Sequence, residues 1–415
     1  MKRNYYIVAL IMLTFFVISF ITNIFGPLTP DLIKGFNLSL TLAALFPFAF
    51  FAAYGVMSIP SGILIEKYNE KKMMLAAFIV ASIGSLLLAI FPNYLVALPS
   101  LFIIGGGFAM LQVIINPLLR TAGGEEHYAF NSVLAQLIFG AASFISPRVY
   151  TYMVETLNSR GHNSLSFLRP VVPDTLPWIS LYWLFALICL LMILIILFSR
   201  FPKVELTEEE RAGPLRTHVM LFKKRVVILF FLGIVFYVGT EQGTANWISQ
   251  FLFSYHHYDT AVGDNVVSNF WGAMTAGGVL GLFLLKVMDS RKVLIIFTIL
   301  AITSLSVALF GPGKIALIAF PAVGFFASVM YPIIFSLALN SVREHHGSFS
   351  GILCTGIIGG AIVPLIIGWL GDHVGLRSGM LFLYLTMGYI LTIGFWAKPI
   401  ITNKTIKLFE KKEMV

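Results

Sequence analysis

One glutamate stands out among the side chains of this 415-residue sequence that could do chemistry. Glu241 lies in the apolar stretch "FYVGTEQGTANW", residues 236–247, beside Gln242, Thr244 and Asn246, whereas the other acids fall in predicted loops or at the ends of apolar segments. A carboxyl group inside a membrane is costly unless it has a partner or a task. We therefore expect Glu241 either to take up and release a proton or to help oxygen ligands hold Na⁺.

Helical spacing groups the neighbours of Glu241. Tyr237 and Thr244 share its face at intervals of four and three residues, and Gln242 begins an adjoining stripe of amides. Amides beside aromatic rings suit a neutral, polyhydroxylated ligand, because they supply hydrogen-bond donors and acceptors next to a flat apolar surface. A charged ligand would call for an intramembrane arginine or lysine, and the sequence predicts none at this depth.

Amide side chains recur in several other apolar segments. A helix–helix hydrogen bond explains any single one at least as well as a ligand contact does. Their recurrence favours a shared cavity instead. The predicted substrate-binding residues are Gln112, Asn116, Asn131, Gln242, Asn246, Asn269 and Trp271.

The elements that carry these residues belong to a membrane protein. Hydrophobic residues make up 58% of the chain, charged residues 11%, and the mean hydropathy is +0.89. A soluble domain carries about 25% charged residues, so this class is excluded. Apolar runs of about 20 residues, long enough to cross a bilayer as a helix, recur throughout. We predict an all-α membrane protein with twelve transmembrane helices, at 5–28, 42–64, 72–92, 97–121, 127–152, 176–199, 224–253, 264–287, 291–311, 313–340, 347–371 and 376–400.

The net charge of +9 is a signal of topology. With the N-terminus inside, 22 of the 28 lysines and arginines fall in inner segments. The positive-inside rule therefore predicts a multi-pass protein of the cell inner membrane with both termini in the cytoplasm. The excess of lysine and arginine is explained by their position on the cytoplasmic side of the lipid bilayer, so no nucleic-acid partner is expected.

A polar stretch at 200–225 divides the twelve predicted spans into six and six. Repeated halves joined by a cytoplasmic link are typical of transporters. We predict an N-terminal six-helix bundle over 1–199, a cytoplasmic linker over 200–223, a C-terminal six-helix bundle over 224–400 and a cytoplasmic tail over 401–415.

A short basic turn recurs at equivalent places in the two halves, as "GILIEKYNEKK" after span two and "GLFLLKVMDSRK" after span eight. The first copy resembles the loop signature of the major facilitator superfamily, with Asn69 in place of the usual glycine. The resemblance implies a charge cluster that locks one conformation by pairing with the neighbouring half; a solvated basic loop is the alternative. The predicted conformational-lock residues are Gly62, Glu66, Lys67, Lys71 and Lys72.

No metal or cofactor site is predicted. Cys189 and Cys354 lie in different spans, and the histidines fall in loops or at span ends. The spans contain no paired carboxylates, nucleophile–base spacing or phosphate loop, so an enzyme is not expected. Na⁺ or H⁺ as a coupling ion is the one small ion implied.

Two longer motifs are similar to those of a known family. "MYPIIFSLAL" (330–339) and "SGILCTGIIGGAIVPLIIGWLGD" (350–372) resemble spans ten and eleven of the fucose-galactose-glucose:proton symporter family within the major facilitator superfamily. The resemblance covers most of the chain. It implies a twelve-helix fold, an inner-membrane location and uptake of a neutral sugar coupled to a cation, by a protein that acts as a monomer.

The same resemblance shows two departures. In the proton-coupled fucose transporters an aspartate of span one and a glutamate of span four carry coupling and binding, and their places here hold Gly26 and Gln112. Glutamine at the second place also occurs in the glucose/galactose branch. Glu241 matches a glutamate often found in the glucose and N-acetylglucosamine branches, which makes it the predicted coupling site.

The sequence thus predicts a secondary transporter that imports a neutral hexose-type sugar by alternating access. An uncoupled sugar facilitator is the alternative if Glu241 is only structural. A multidrug-type exporter of the same fold would suit the 38 phenylalanines. It fits less well with so many amides in the predicted cavity.

Overall fold

The computed structural model describes residues 4–124, 128–159, 164–201, 214–342 and 344–400. Within helices, the side chains of Glu66, Asn116, Tyr128 and Ala129 are not described. The predictions for Glu66 and Asn116 therefore fall outside the described side chains. Residues 202–213 of the predicted linker and the predicted tail over 401–415 also lie outside the described residues.

The described chain is helical, and twelve of its segments are long and apolar enough to cross a bilayer, which confirms the predicted fold class. Most spans are one helix, some are two helices in series, and α8 is a short helix between the sixth and seventh spans. The helices are α1 (Tyr5–Thr22), α2 (Phe25–Phe36), α3 (Leu40–Lys67), α4 (Glu70–Ile90), α5 (Tyr94–Gly123), α6 (Tyr128–Asn158), α7 (Ser180–Phe198), α8 (Leu215–Phe222), α9 (Arg225–Ala245), α10 (Ile248–His256), α11 (Thr260–Val287), α12 (Ser290–Phe310), α13 (Gly313–Ala327), α14 (Met330–Leu339), α15 (His346–Thr355), α16 (Gly359–Val374), α17 (Leu376–Met380) and α18 (Phe382–Trp396).

Local sequence sets where several helices begin. Ser39, Asn69 and Asn93 each accept a hydrogen bond from the backbone N–H three residues further on, at 2.9 to 3.3 Å. Such N-caps satisfy donors that the first helical turn leaves unpaired. The tight connections between the first four spans are therefore encoded by the connecting residues themselves.

Several spans are interrupted rather than continuous. The first span breaks at Asn23, between α1 and α2, and the seventh breaks at Asn246, between α9 and α10. A 3₁₀ turn over 356–358 separates α15 from α16. The breaks at Asn23 and Asn246 occupy corresponding places in the first span of each half. Interrupted helices at matching positions commonly frame the binding site of a transporter.

The buried apolar side chains form two clusters. One is drawn from residues 7–196 and joined by Ala361, and the other from residues 221–397 and joined by Ala44. Each half of the chain therefore packs around its own core, and the two cores touch where α3 meets α16. We refer to these as the N half and the C half.

Hydrogen bonds between the halves concentrate near one end, which the sequence assigns to the outside. Asp372, at the end of α16, accepts hydrogen bonds from the backbone N–H groups of Leu40 and Thr41 at 2.8 Å each. Thr151 of α6 donates to Asp264 of α11 at 2.9 Å. These contacts close the predicted outer end.

Candidate functional site

Glu241 lies one turn before the end of α9, and its carboxyl group reaches a cavity between the two halves. The Tyr237 hydroxyl, one turn earlier on the same face, donates to Glu241 Oε2 at 2.6 Å. Gln242 Nε2 donates to Oε1 at 3.2 Å. Lysine, arginine and histidine are all absent from the described residues that line the cavity. Neutral donors of α9 itself thus hold both carboxyl oxygens.

A chain of amides and hydroxyls connects Glu241 to the N half. Gln242 Nε2 also donates to Asn23 Oδ1, at 3.4 Å. Asn23 Nδ2 donates to the Ser143 hydroxyl of α6 at 2.8 Å, and Ser143 bonds to the Ser19 hydroxyl of α1 at 2.6 Å. A change at the Glu241 carboxyl group can therefore reach Ser143 of α6 through three hydrogen bonds and Ser19 of α1 through a fourth.

The cavity has a volume of about 410 Å³, within the usual range of small-molecule sites. Its wall contains buried polar atoms that no other described protein atom satisfies, among them Gln242 Oε1, Trp271 Nε1 and Ser132 Oγ. An unsatisfied buried polar group costs about 1–3 kcal/mol, so these atoms favour a ligand that supplies both donors and acceptors.

Aromatic rings form the apolar part of the cavity wall. The Tyr237 ring of α9 and the Tyr331 ring of α14 both line the cavity, and their centroids lie 5.6 Å apart. Trp271 and Tyr54 line the cavity from α11 and α3. The wall thus combines flat apolar surfaces with amides and hydroxyls, as a ring with several hydroxyl groups requires.

The structure brings together four of the predicted site residues. Glu241, Gln112, Gln242 and Trp271 all line the cavity, from α9, α5 and α11. Glu241 is the one aspartate or glutamate among the described lining residues.

Three other predicted residues lie elsewhere. Asn131 is buried against Gly123, near the predicted inner ends of α5 and α6. Asn246 is buried at the end of α9, and Asn269 is exposed, where it accepts a hydrogen bond from Arg148 at 3.3 Å. None of these three amides is among the described residues that line the cavity, and their role in substrate binding stays a prediction.

Sequence reasoning did not select other polar residues that line the cavity. Ser132 and Gln136 lie one turn apart on α6, and Asn23 and Ser143 complete the hydrogen-bonded chain. Residues adjacent in a helix point about 100° apart, and the face of α6 that lines the cavity carries Ser132 rather than Asn131. The spacing of four between Ser132 and Gln136 was the signal that could have identified the correct face.

Comparison with known proteins adds independent information. Residues 11–357 match the family model of the Major Facilitator Superfamily. The chain belongs to the major facilitator superfamily. A "Glucose/galactose transporter" of Brucella abortus biovar 1 (strain 9-941) is 30% identical over 399 residues, which cover 95% of this chain and 94% of that protein.

More distant members agree with this assignment. The "L-fucose-proton symporter" of Escherichia coli (strain K12) is 26% identical over 393 residues, covering 90% of this chain and 89% of that protein. A crystal structure of the E. coli fucose:proton symporter superposes with a TM-score of 0.68 at 23% identity, over 94% of this chain and 98% of that one. The resemblance seen in the sequence is confirmed. These relatives are transporters, so this member of the superfamily is a transporter rather than an enzyme.

Gly26, one of the two departures, has a structural reason in this member of the superfamily. A Cβ atom added at Gly26 would overlap the carbonyl oxygen of Ala245 and lie 3.1 Å from Val267 Cγ1. A glycine here lets α2 of the N half approach the end of α9 closely. The aspartate that the resemblance implies at this place has no room while the outer end is closed.

The predicted lock residues lie at the predicted inner end of the N half. Lys71 Nζ donates to the carbonyl oxygens of Leu197 and Ser199, at 2.8 Å each. It therefore caps the C-terminal end of α7 within its own half. Gly62 lies within α3, Lys67 ends that helix with an exposed side chain, and the exposed Lys72 lies in the first turn of α4. The lock itself stays a prediction.

Proposed function

We propose that this protein is a secondary active transporter that imports a neutral hexose-type sugar by alternating access, coupled to a cation through Glu241. It would work as a monomer in the cell inner membrane with both termini in the cytoplasm. The N half and the C half would rock about the cavity between them. The relatives named for glucose, galactose and fucose support a sugar as the substrate.

The cavity wall is the observation that carries the proposal. Amides from both halves meet there with aromatic rings, and the described wall contains no basic side chain. A neutral sugar can pair its hydroxyl groups with Gln112 and Gln242 and place its apolar ring face on Trp271. The unsatisfied donors and acceptors of the wall would gain partners in the bound state, which favours this ligand class.

Hydrogen bonds from Glu241 would connect a bound cation to both halves. When ionised, its carboxylate strengthens the hydrogen bond from Gln242, because bonds to a charged acceptor are about twice as strong as neutral ones. Protonation or Na⁺ binding would weaken that bond and release the Gln242 amide toward Asn23 or the sugar. Cation occupancy would then be felt in the N half through Asn23 and Ser143.

The uncoupled facilitator remains the competing function. Tyr237 and Gln242 already satisfy both Glu241 oxygens, which is also what a structural glutamate would show. Transport against a gradient separates the two functions, because a facilitator equilibrates sugar but never accumulates it.

The test compares the wild-type protein with Glu241→Gln in proteoliposomes, using labelled glucose and galactose and imposed H⁺ or Na⁺ gradients. We expect the wild type to accumulate sugar with one of the two gradients. Glu241→Gln should keep sugar exchange at equal concentrations but lose accumulation, so that its inside-to-outside ratio falls to one. Glu344→Gln, an exposed glutamate at the inner end, is the matched control and should accumulate normally.

Each other outcome has a distinct meaning. Accumulation by Glu241→Gln at the wild-type level would end the coupling role of Glu241. A wild type that exchanges sugar but accumulates none with either gradient would establish the facilitator. A wild type that exchanges no sugar would overturn the substrate class.

A further inference from the structure

A second group of buried carboxyl groups lies outside the cavity, at the closed outer end. Asp264 is in the second turn of α11 and only 3% exposed. Its Oδ2 accepts from the Thr151 hydroxyl of α6 at 2.9 Å, and its Oδ1 accepts from the Ser249 hydroxyl of α10 at 2.9 Å. Asp264 therefore accepts one hydrogen bond from the N half and one from the C half.

Asp31 is the neighbouring carboxyl group. It lies in α2, where the Tyr150 hydroxyl of α6 donates to its Oδ2. Asp31 is close enough to Asp264 for their charges to interact. No cation bonds to Asp264 among the described residues, because its two partners are both hydroxyl groups. The titratable or charged groups that face this cluster are Lys34 from α2, Tyr150 and Glu155 from α6, and Tyr182 from α7, which faces Tyr150.

The hydrogen bonds suit a neutral Asp264. The Thr151 hydroxyl also lies 3.1 Å from the carbonyl oxygen of Pro147, and the Ser249 hydroxyl lies 3.5 Å from that of Thr260. Either hydroxyl can therefore donate to a backbone carbonyl and accept from a protonated Asp264. An ionised Asp264 would be buried beside a second carboxyl group with no cation bonded to it, and such a charge is costly in a closed interface.

We propose that Asp264, with Thr151, Ser249 and Asp31, is a proton-operated latch that holds the outer end of the transporter closed when Asp264 is protonated and releases it when the proton leaves. Opening separates α6 from α11 and lets water reach the carboxylate, so ionisation and opening favour each other. The latch rests on the proposed alternating access, but on neither Glu241 nor the identity of the sugar.

The experiment measures the distance between the halves at the outer end. Phe91 directly follows α4 in the N half and Phe310 ends α12 in the C half, and both are more than half exposed. Spin labels on Phe91→Cys and Phe310→Cys, in the full-length chain with Cys189 and Cys354 replaced by serine, report that distance by double electron–electron resonance. The protein is held in lipid nanodiscs without sugar, from mildly acidic to mildly alkaline pH.

The wild type should show mainly the short distance at acidic pH, and this population should fall severalfold as the pH rises. Asp264→Asn should keep the short distance at every pH. Asp372→Asn is the matched control: it removes the other carboxylate that joins the halves at this end, but an exposed one. It should lower the short-distance population at every pH and leave the pH dependence in place.

Three results would overturn the latch. These are a wild-type distance independent of pH, an Asp264→Asn profile equal to that of the wild type, and a profile that follows Na⁺ concentration rather than pH. Glu241→Gln should retain the pH-dependent distance, which separates failure of the latch from failure of the coupling role of Glu241.

A second variant keeps the test decisive if Asp264→Asn does not fold. Asp31→Asn leaves both hydroxyl partners of Asp264 intact and removes the neighbouring negative charge. A neighbouring like charge disfavours ionisation, so this variant should make ionisation of Asp264 easier and move the midpoint of the distance change to lower pH. An unchanged midpoint would contradict the proposed interaction.

Discussion

The cavity around Glu241 and the closed outer end around Asp264 each bury a carboxyl group among neutral donors, yet they are built differently. Both donors to Glu241, Tyr237 and Gln242, belong to the same helix as the glutamate. The donors to Asp264, Thr151 and Ser249, come from the two different halves. Bonds within one helix survive the rocking of the halves, whereas a bond between halves breaks each time the outer end opens.

This difference separates two tasks. Glu241 can stay hydrogen-bonded throughout a transport cycle and respond to what occupies the cavity. The surroundings of Asp264 change with the conformation itself. A transporter that couples a cation to a sugar needs both kinds of group. One group must respond to what is bound in the cavity, and the other must allow the outer end to close only in one protonation state.

The largest expected effect comes from the tight packing of the outer end. Gly26→Val would force side-chain atoms into the carbonyl group of Ala245 and the Val267 side chain. Overpacking costs about 1–3 kcal/mol, and about 1.4 kcal/mol changes an equilibrium tenfold. We expect the closed population at the outer end and the rate of sugar uptake both to fall by about tenfold or more. Uptake in proteoliposomes and the Phe91–Phe310 distance measure the two quantities.

Gly388→Val is the control for this variant, because a Cβ atom at Gly388 of α18 would have no neighbouring atom within 4 Å. It should transport normally. Normal uptake by Gly26→Val would mean that the outer end need not close as tightly as in this structure. The proposed difference between the cavity around Glu241 and the closing interface around Asp264 would then be contradicted.

A smaller effect is expected in the cavity. Trp271→Phe retains an aromatic surface but removes the Nε1 donor, which has no protein partner among the described residues. A hydrogen bond to a sugar hydroxyl contributes about 1 kcal/mol, so the Kd for sugar should rise about fivefold. Equilibrium binding of labelled sugar measures it. Trp369→Phe on the exposed side of α16 is the control, and an unchanged Kd for Trp271→Phe would remove that residue from the site.

The sequence predicts one of these regions much better than the other. Apolar runs, the placement of lysines and arginines, and helical spacing were enough to predict the twelve spans and to select Glu241, Gln242 and Trp271. Asp264 was expected at the first residue of its span, but α11 begins at Thr260 and carries the carboxyl group into the interface. Its burial depends on α6 packing across it, and contacts between halves leave no periodic pattern in either segment.

The smallest expected effect distinguishes the two helix breaks, at Asn23 and Asn246, by whether each one contacts the cavity. Asn23 and Asn246 occupy corresponding positions, but Asn23 lines the cavity and bonds to both halves, whereas Asn246 is buried away from it.

Asn246→Ala should change the Kd for sugar less than about twofold, because Asn246 is not among the described residues that line the cavity and its Nδ2 has no partner among them. Asn23→Ala should raise the Kd about tenfold, since it removes one hydrogen-bond partner from Gln242 and one from Ser143 at the cavity wall. Equal effects of the two variants would mean that both breaks contact the sugar, in agreement with the sequence prediction for Asn246 rather than with the geometry. Unequal effects in the expected order would identify the break in the first span as the one that binds.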